Sequence, residues 1–302
     1  MKSPSPSRRT FLRRAASLAV TALPAFLRPA PAVSRTRPGD ILPADRAIIL
    51  KRLAGEDAPD LLRLPVGDLV AAMGRSFLGE PYRANTLEAE GEEHLVVDLR
   101  EFDCVTFCET SLALARALKL RTPSAEGYCA QLRLIRYRSG IIDGYGSRLH
   151  YFSDWIADNE KKKILRNLTG ELGGRKDGRV MNFMSTHREA YPSLSSGRNV
   201  EAVLAAEKNL SASVRYFVPK EGLGKIQEDI RSGDIIAITT SVEGLDVSHT
   251  GIALREAGVL RLLHAPNVGQ KVQLSRGSLV EYLNGHGKQT GIMVARPVEP
   301  EA

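Results

Sequence analysis

The spacing of apolar residues changes partway along the chain. Leu69, Met73 and Phe77 recur every fourth position, which predicts a helix over 65–77, and a shorter helix is expected over 45–54. Gly79-Glu80-Pro81-Tyr82 breaks the pattern, and 94–99 reads as a short strand. Asp103 is a good N-cap for a helix over 104–118, on which Val105, Cys108, Leu112 and Ala115 share one face. Helices are also predicted over 124–136 and 200–210. The stretches 139–150 and 169–179, rich in Gly and charge, read as loops, and 160–168 is ambiguous. From about 214 the chain consists of short runs of branched residues bounded by turn signals. Strands are expected at 214–218, 234–240, 249–254, 259–264 and 291–297, with one late helix near 278–284. Helical segments followed mostly by strands predict an α+β protein. No repeat, low-complexity tract or boundary divides 45–298, which is expected to form one domain with insertions.

The first 32 residues follow a different logic. Ser7-Arg8-Arg9-Thr10-Phe11-Leu12 precedes an apolar run over 15–27 and then Ala30-Pro31-Ala32. This is a charged n-region, a short h-region and an A-x-A cleavage candidate, hence a removable signal rather than a membrane span. The twin arginine points to the Tat exporter, so the mature protein is expected to be exported to the periplasm. A linker over 33–44 follows.

That reading changes the meaning of the charge. Lys2, Arg8, Arg9, Arg13, Arg14 and Arg28 stand in the signal with no acid among them, so +6 of the net charge of +7 belongs to it. The rest of the chain is nearly neutral, which argues against a nucleic-acid partner. With 43% hydrophobic and 25% charged residues the chain is of ordinary globular composition. The 3 cysteines, Cys104, Cys108 and Cys129, are an odd number for an oxidising compartment. At least one thiol therefore lacks an intramolecular partner.

Cys104 is placed where a nucleophile would be built. As the first residue of the helix capped by Asp103, it meets unpaired N–H groups and the positive end of the dipole, and both favour a thiolate. The same N–H groups suit an oxyanion. A small buried hydrophobe is the plainer explanation of such a cysteine. The second element is Ser248-His249-Thr250-Gly251-Ile252-Ala253-Leu254 and the run over 259–264. A hairpin with a four-residue loop at 255–258 puts Leu254 opposite Val259 and His249 opposite His264. His264 would then hold one nitrogen of His249 and leave the other for the thiol. A slip of one residue would separate them. No C-x-x-C, H-E-x-x-H or glycine-rich phosphate loop occurs, so neither a metal nor a nucleotide is expected.

Taken together, Gly79-Glu80-Pro81-Tyr82, Asp103-Cys104, Gly233-Asp234-Ile235-Ile236 and His249-x-Gly251-Ile252 followed by His264-Ala265 resemble the NlpC/P60 cysteine peptidases of papain-like fold. More narrowly, Phe102-Asp103-Cys104-Val105-Thr106-Phe107, the stretch from Ser147 to Trp155 and His249-Thr250-Gly251-Ile252-Ala253 resemble the DUF1460 family. The resemblance covers most of 45–298. It implies a nucleophile-bearing helix packed on an antiparallel sheet and an N-acetylmuramoyl-L-alanine amidase acting on murein fragments, especially 1,6-anhydro-muropeptides. It needs no cofactor. Carried over, Cys104 is the nucleophile, His249 the base and His264 the orienter, with Asn267 as the other candidate for that last role. Tyr82 would face the cleft, and Asp103 would help bind substrate.

One departure concerns the superfamily's Asp-Cys-Ser-Gly element, which is Asp103-Cys104-Val105-Thr106 here. In endopeptidase members the Asp and Ser help to recognise a free amine on L-Ala. Val105 has no hydrogen-bonding group, which fits an amidase better. A stem-peptide endopeptidase cleaving at D-Glu and a catalytically silent murein-binding module are the alternatives. Arg148, Tyr151, Asp154 and Trp155 are candidate sugar contacts. Equally, Trp155 would anchor the core while Arg148 and Asp154 pair with each other. Cys108 reads as core or as a partner for Cys129. His187 and 181–184 read as structural, and Lys161-Lys162-Lys163 as a solvated surface.

Overall fold

The computed structural model describes residues 41–88 and 91–301, so the signal at 1–32 and most of the linker lie outside the described residues. Helices dominate the first half: α1 (Pro43–Leu53), α2 (Ala58–Arg63), α3 (Val66–Arg75), α4 (Cys104–Lys119), α5 (Ala125–Arg136) and α6 (Phe152–Lys161). Short strands β1 (Leu165–Asn167) and β2 (Arg175–Asp177) follow, then α7 (Phe183–Thr186), α8 (Gly197–Ala212), β3 (Arg215–Pro219) and α9 (Leu223–Ile226). The chain ends with β4 (Ile235–Thr240), β5 (Val247–Glu256), β6 (Val259–His264), β7 (Gln273–Leu274), α10 (Leu279–Asn284) and β8 (Gln289–Pro297). The strands form one sheet in the order β2-β3-β8-β4-β5-β6-β7, with β1 also on β8. Every ladder in it is antiparallel. The α+β expectation therefore holds at the level of helices packed on an antiparallel sheet.

Both faces of the sheet are covered. Ile235, Ala237, Ile252, Leu254, Leu263, Met293 and Ala295 join the core made with α3 and α4. Their neighbours Ile236, Ile238, Ala253, Leu262, Ile292 and Val294 point the other way, against Leu279 and Leu283 of α10. Burial on two faces explains why these strands read as continuous apolar runs instead of alternating ones. Helix α4 is buried along its whole length from Thr106 to Leu118, because it is packed by α3 and α5 as well as by the sheet.

Three expectations are corrected. Residues 94–99 do not form a strand: they run extended beneath α5, where Val96 O accepts a hydrogen bond from Arg136 and Leu99 N–H donates to buried Asp45. The stretches 160–168 and 169–179 contain β1 and β2, whose partners on β8 and β3 lie far along the chain. The hairpin loop is two residues shorter than expected and begins two residues later. Glu256 faces Val259 across Ala257-Gly258, so Leu254 pairs with Arg261 rather than Val259. Both turn residues adopt positive φ, as a tight two-residue hairpin requires.

Candidate active site

The N-terminus of α4 is built as a capping box. Asp103 Oδ1 accepts from the N–H groups of Val105 (3.0 Å) and Thr106 (2.8 Å), while Thr106 Oγ1 accepts from Asp103 N–H at 3.0 Å. Thr86 Oγ1 donates to Asp103 Oδ2 at 2.7 Å. Both oxygens of Asp103 thus serve the cap and its support.

The approach to this cap is equally constrained. Phe102 N–H donates to Pro81 O and Arg83 N–H to Phe102 O, so residues 81–83 run beside the residues that precede α4. On their other side Gly79 and Tyr82 donate to Val272 and Gln270. The Gly-Glu-Pro-Tyr segment is therefore clamped between two stretches of chain. Gly79 takes φ +93°, a conformation that L side chains rarely adopt. This holds Tyr82 beside Asp103 and Cys104, where burial and the charges of both push its hydroxyl pKa up.

The two histidines meet despite the shifted register. A shift of two residues preserves the face, so His249 becomes the diagonal neighbour of His264 instead of its direct partner. His249 Nε2 and His264 Nδ1 are 2.7 Å apart, with the rings 5.0 Å between centroids at 72°. Continuing the register puts Gly251 opposite His264. A Cβ at Gly251 would lie 2.8 Å from Leu263 O and 3.0 Å from His264 Cβ, so only glycine leaves room for the diagonal pair. His264 is almost fully buried, and Tyr282 of α10 stands edge-on to it at 5.0 Å. Asn267 is exposed, so the contact belongs to His264.

Thiol and imidazole meet at Thr250. Cys104 is the first residue of α4, and the backbone N–H groups of Thr250, the residue after His249, and of Cys104 and Val105 all favour its thiolate. One turn on, Cys108 Sγ lies 3.0 Å from Thr250 Oγ1, which ties the same helix to the same strand. All three cysteines are free: Cys108 is buried on Thr250 and not bonded to Cys129.

Protonation at the site departs from the sequence expectation. Burial, followed by the adjacent Asp103 carboxylate, pushes the Cys104 thiol up to about 12, against the pull of the three N–H groups. Burial and the neighbouring His286 push His249 down to about 4, and burial with His249 pushes His264 down to about 2. The helix N-terminus is outweighed by desolvation. The resting pair is a neutral thiol and a neutral imidazole.

The candidate sugar contacts are placed elsewhere. Trp155 is fully buried, stacked on Phe152 at 4.7 Å, and donates from Nε1 to Glu109 of α4 at 3.2 Å. Glu109 also accepts from Arg136 Nε at 2.7 Å. Tyr151 is buried with its hydroxyl on Glu207 at 2.7 Å. Arg148 is buried against Glu88 and the Leu87 carbonyl, and Asp154 pairs with Arg138 rather than with Arg148. Arg148, Tyr151 and Trp155 have almost no surface through which to touch a ligand: Trp155 braces α4, Arg148 holds Leu87 and Glu88, and Tyr151 is tied to Glu207. Of Lys161-Lys162-Lys163, Lys162 is held by Asp158 and the Tyr137 carbonyl, while Lys163 is solvated. Tyr282, Gln289 and His286, which do stand at the site, have no sequence signature: an amphipathic helix and a strand end look the same with or without a cleft beside them. Among the described residues no group of three or more His, Cys, Asp or Glu is arranged to hold a metal ion, and no helix is long and apolar enough to cross a membrane.

Comparison with known proteins identifies the family. The model of an AmiA-like family, N-acetylmuramoyl-L-alanine amidase-like, matches residues 72–292. An N-acetylmuramoyl-L-alanine amidase from Bacteroides uniformis is 39% identical over 77% of this chain and 99% of its own, with a TM-score of 0.74. A Bacteroides fragilis protein described as a xylanase is 40% identical over 75% of this chain and 99% of its own, with a TM-score of 0.70. A Legionella pneumophila protein matched by the DUF1460 family model shares the fold at 20% identity, over 84% and 95% of the two chains, with a TM-score of 0.64. No curated protein matches. By the extent of the family match and its identity to the Bacteroides uniformis amidase, this chain belongs to the AmiA-like, N-acetylmuramoyl-L-alanine amidase-like family.

Proposed function

We propose that the protein is a cysteine amidase that cleaves the bond between N-acetylmuramic acid, in its 1,6-anhydro form, and L-Ala in peptidoglycan fragments. The observation that carries this reading is the 2.7 Å contact of His249 with His264 beside a thiol seated at a helix N-terminus. For His249 to act as base its proton must sit on Nε2 and be donated to His264 Nδ1, which leaves the Nδ1 lone pair to take the thiol proton. As Sγ attacks the lactyl carbonyl carbon, the thiol proton moves to Nδ1 and the carbonyl oxygen takes the charge, next to the N–H group of Cys104 at the start of α4. The C–N bond then breaks, Nδ1–H protonates the departing L-Ala amine, and an acyl-thioester remains on Cys104. Water, deprotonated by His249, hydrolyses it and restores the thiol. A neutral resting pair suits this sequence, because the proton leaves sulfur only as the new bond forms.

Membership of the NlpC/P60 superfamily, and periplasmic action after Tat export, belong to the same proposal. They rest on the motifs around Cys104 and His249 and on Arg8-Arg9 with the apolar run that follows. Glycoside cleavage finds less support. It requires two carboxyl groups flanking the bond, and the carboxylate beside the thiol, Asp103, has both oxygens engaged by Val105, Thr106 and Thr86.

Mass spectrometry of products from purified anhydro-muropeptides tests the proposal. Wild type is expected to release free anhydro-muramyl sugar and an intact peptide beginning at L-Ala, and Cys104→Ala to release neither. Release of L-Ala-D-Glu, or of sugar still carrying it, would replace the amidase with an endopeptidase.

A further inference from the structure

His249 also lines a cavity of about 440 Å³, together with Thr240, Ser248, His286, Lys288 and Gln289 among others. That volume is within the roughly 300–1,000 Å³ of ligand pockets. The geometry points to this cavity as the subsite for the leaving peptide, selecting a peptide that carries free carboxylates through Lys288 and His286 and one of its N–H groups through Gln289.

Three observations carry the inference, which rests on the amidase reading for the direction of cleavage. First, the group that protonates the leaving amine must lie within hydrogen-bond reach of it. His249 lines the cavity, so the portion expelled with the amine lies on that side of the sulfur while the acyl portion stays on Cys104. Second, the lining is cationic and carries no carboxylate: Lys288 forms no ion pair among the described residues. The Lys220 ammonium adds to this, 3.2 Å from the His286 carbonyl. Third, Gln289 lines the same cavity, is over nine-tenths buried, and its Oε1 has no partner. A buried acceptor left open in a cavity wall is costly unless a ligand donor fills it. Peptide N–H groups supply that donor, and the D-Glu and terminal carboxylates supply the charge. The loop bearing Lys288 and His286 is held by other contacts, with Lys288 O accepting from Ser241 N–H at 2.8 Å and His286 Nδ1 bonded to Tyr282 O at 2.7 Å. The Lys288 side chain is therefore dispensable for the loop's shape.

Calorimetric binding of L-Ala-D-Glu and of its diamide, in which both carboxyls are amidated, tests the assignment. It is read in Cys104→Ala and in Cys104→Ala with Lys288→Met. The acid is expected to bind about tenfold tighter than the diamide to the first protein, a difference that shrinks in high salt and disappears with Lys288→Met. With Cys104 intact, Lys288→Met should raise KM for anhydro-muropeptides several-fold and leave kcat and the product masses unchanged. Equal binding of acid and diamide, no binding of either, or an unchanged affinity in Lys288→Met would overturn the subsite. Failure of the amidase reading shows separately, in the products released by wild type.

Discussion

At the level of single residues, Asp103 has opposing effects on Cys104. Its carboxylate caps the helix that presents the thiol, and its charge works against the thiolate. Asn caps a helix about as well as Asp, so Asp103→Asn should keep α4 while removing the negative charge. Because that charge raises the thiol pKa, its removal lowers it, and the pH midpoint of alkylation by iodoacetamide should move down with faster labelling at pH 8. An unchanged or higher midpoint would mean that burial alone sets the thiol. The residue-level reading of the sequence was sound where chemistry is local. A cap, a first-turn cysteine and a strand histidine are all defined by their immediate neighbours. It could not choose between a binding and a bracing role for Arg148, Tyr151 and Trp155, since an aromatic or an arginine has the same local signature in a cleft and in a wall. Burial settles the question for these three, with Trp155 donating to Glu109 and Tyr151 to Glu207.

Among the elements, the β5–β6 hairpin is the most sensitive part of the site. Its two strands were legible from branched residues, but the turn length was not, because Ala257 at φ +48° has no glycine signature before Gly258. The histidine pair survived because the error was an even number of residues. Gly251 is the position where this can be tested. Gly251→Ala places a methyl 2.8 Å from Leu263 O and 3.0 Å from His264 Cβ, with backbone on one side, so the strands must part locally. The expected cost is about 1–3 kcal/mol of stability. Loss of the His249–His264 contact should lower kcat by about 10²-fold. Denaturant unfolding together with steady-state kinetics separates the two. A variant that is destabilised yet fully active would show that the pairing is not needed for turnover. The missing strand at 94–99 has a different origin: the Val96 carbonyl is taken by Arg136 and the Leu99 N–H by Asp45, not by a neighbouring strand.

For the whole molecule, burying histidines makes stability depend on pH. His150, His249 and His264 are pushed down to about 3, 4 and 2 by burial. From the ordinary value of 6.5 down to about 4 the unfolded chain binds more protons than the folded one, so stability rises with pH across that window and is lost on acidification. Buried Asp246 and Glu109, both pushed up by burial, act in the opposite sense and offset part of this. With about 1 kcal/mol per imidazole, after discount for partial exposure, Tm should fall by about 5–10 °C between pH 7 and 5.5. Thermal melts across that range are the check, and a Tm that is flat or rises on acidification would mean the imidazoles are charged in the folded protein.

What the sequence determined by itself is what depends on near neighbours. The two-period pattern defined the class, Asp103 ahead of the apolar face of 104–118 defined the cap, and the residues flanking Cys104, His249 and His264 defined the candidate nucleophile and its partners. The tertiary structure decided everything that depends on distant chain segments coming together. It set the hairpin register, chose His264 over Asn267, and clamped Tyr82 between Phe102 and Gln270. It moved Trp155 into the wall, brought Tyr282 and Gln289 to the site, and raised the thiol pKa that the helix dipole would have lowered. The physical reason is the same in each case. Hydrogen-bonding propensity is carried by a few consecutive residues, whereas burial, and with it the protonation of a thiol or an imidazole, is a property of the assembled core.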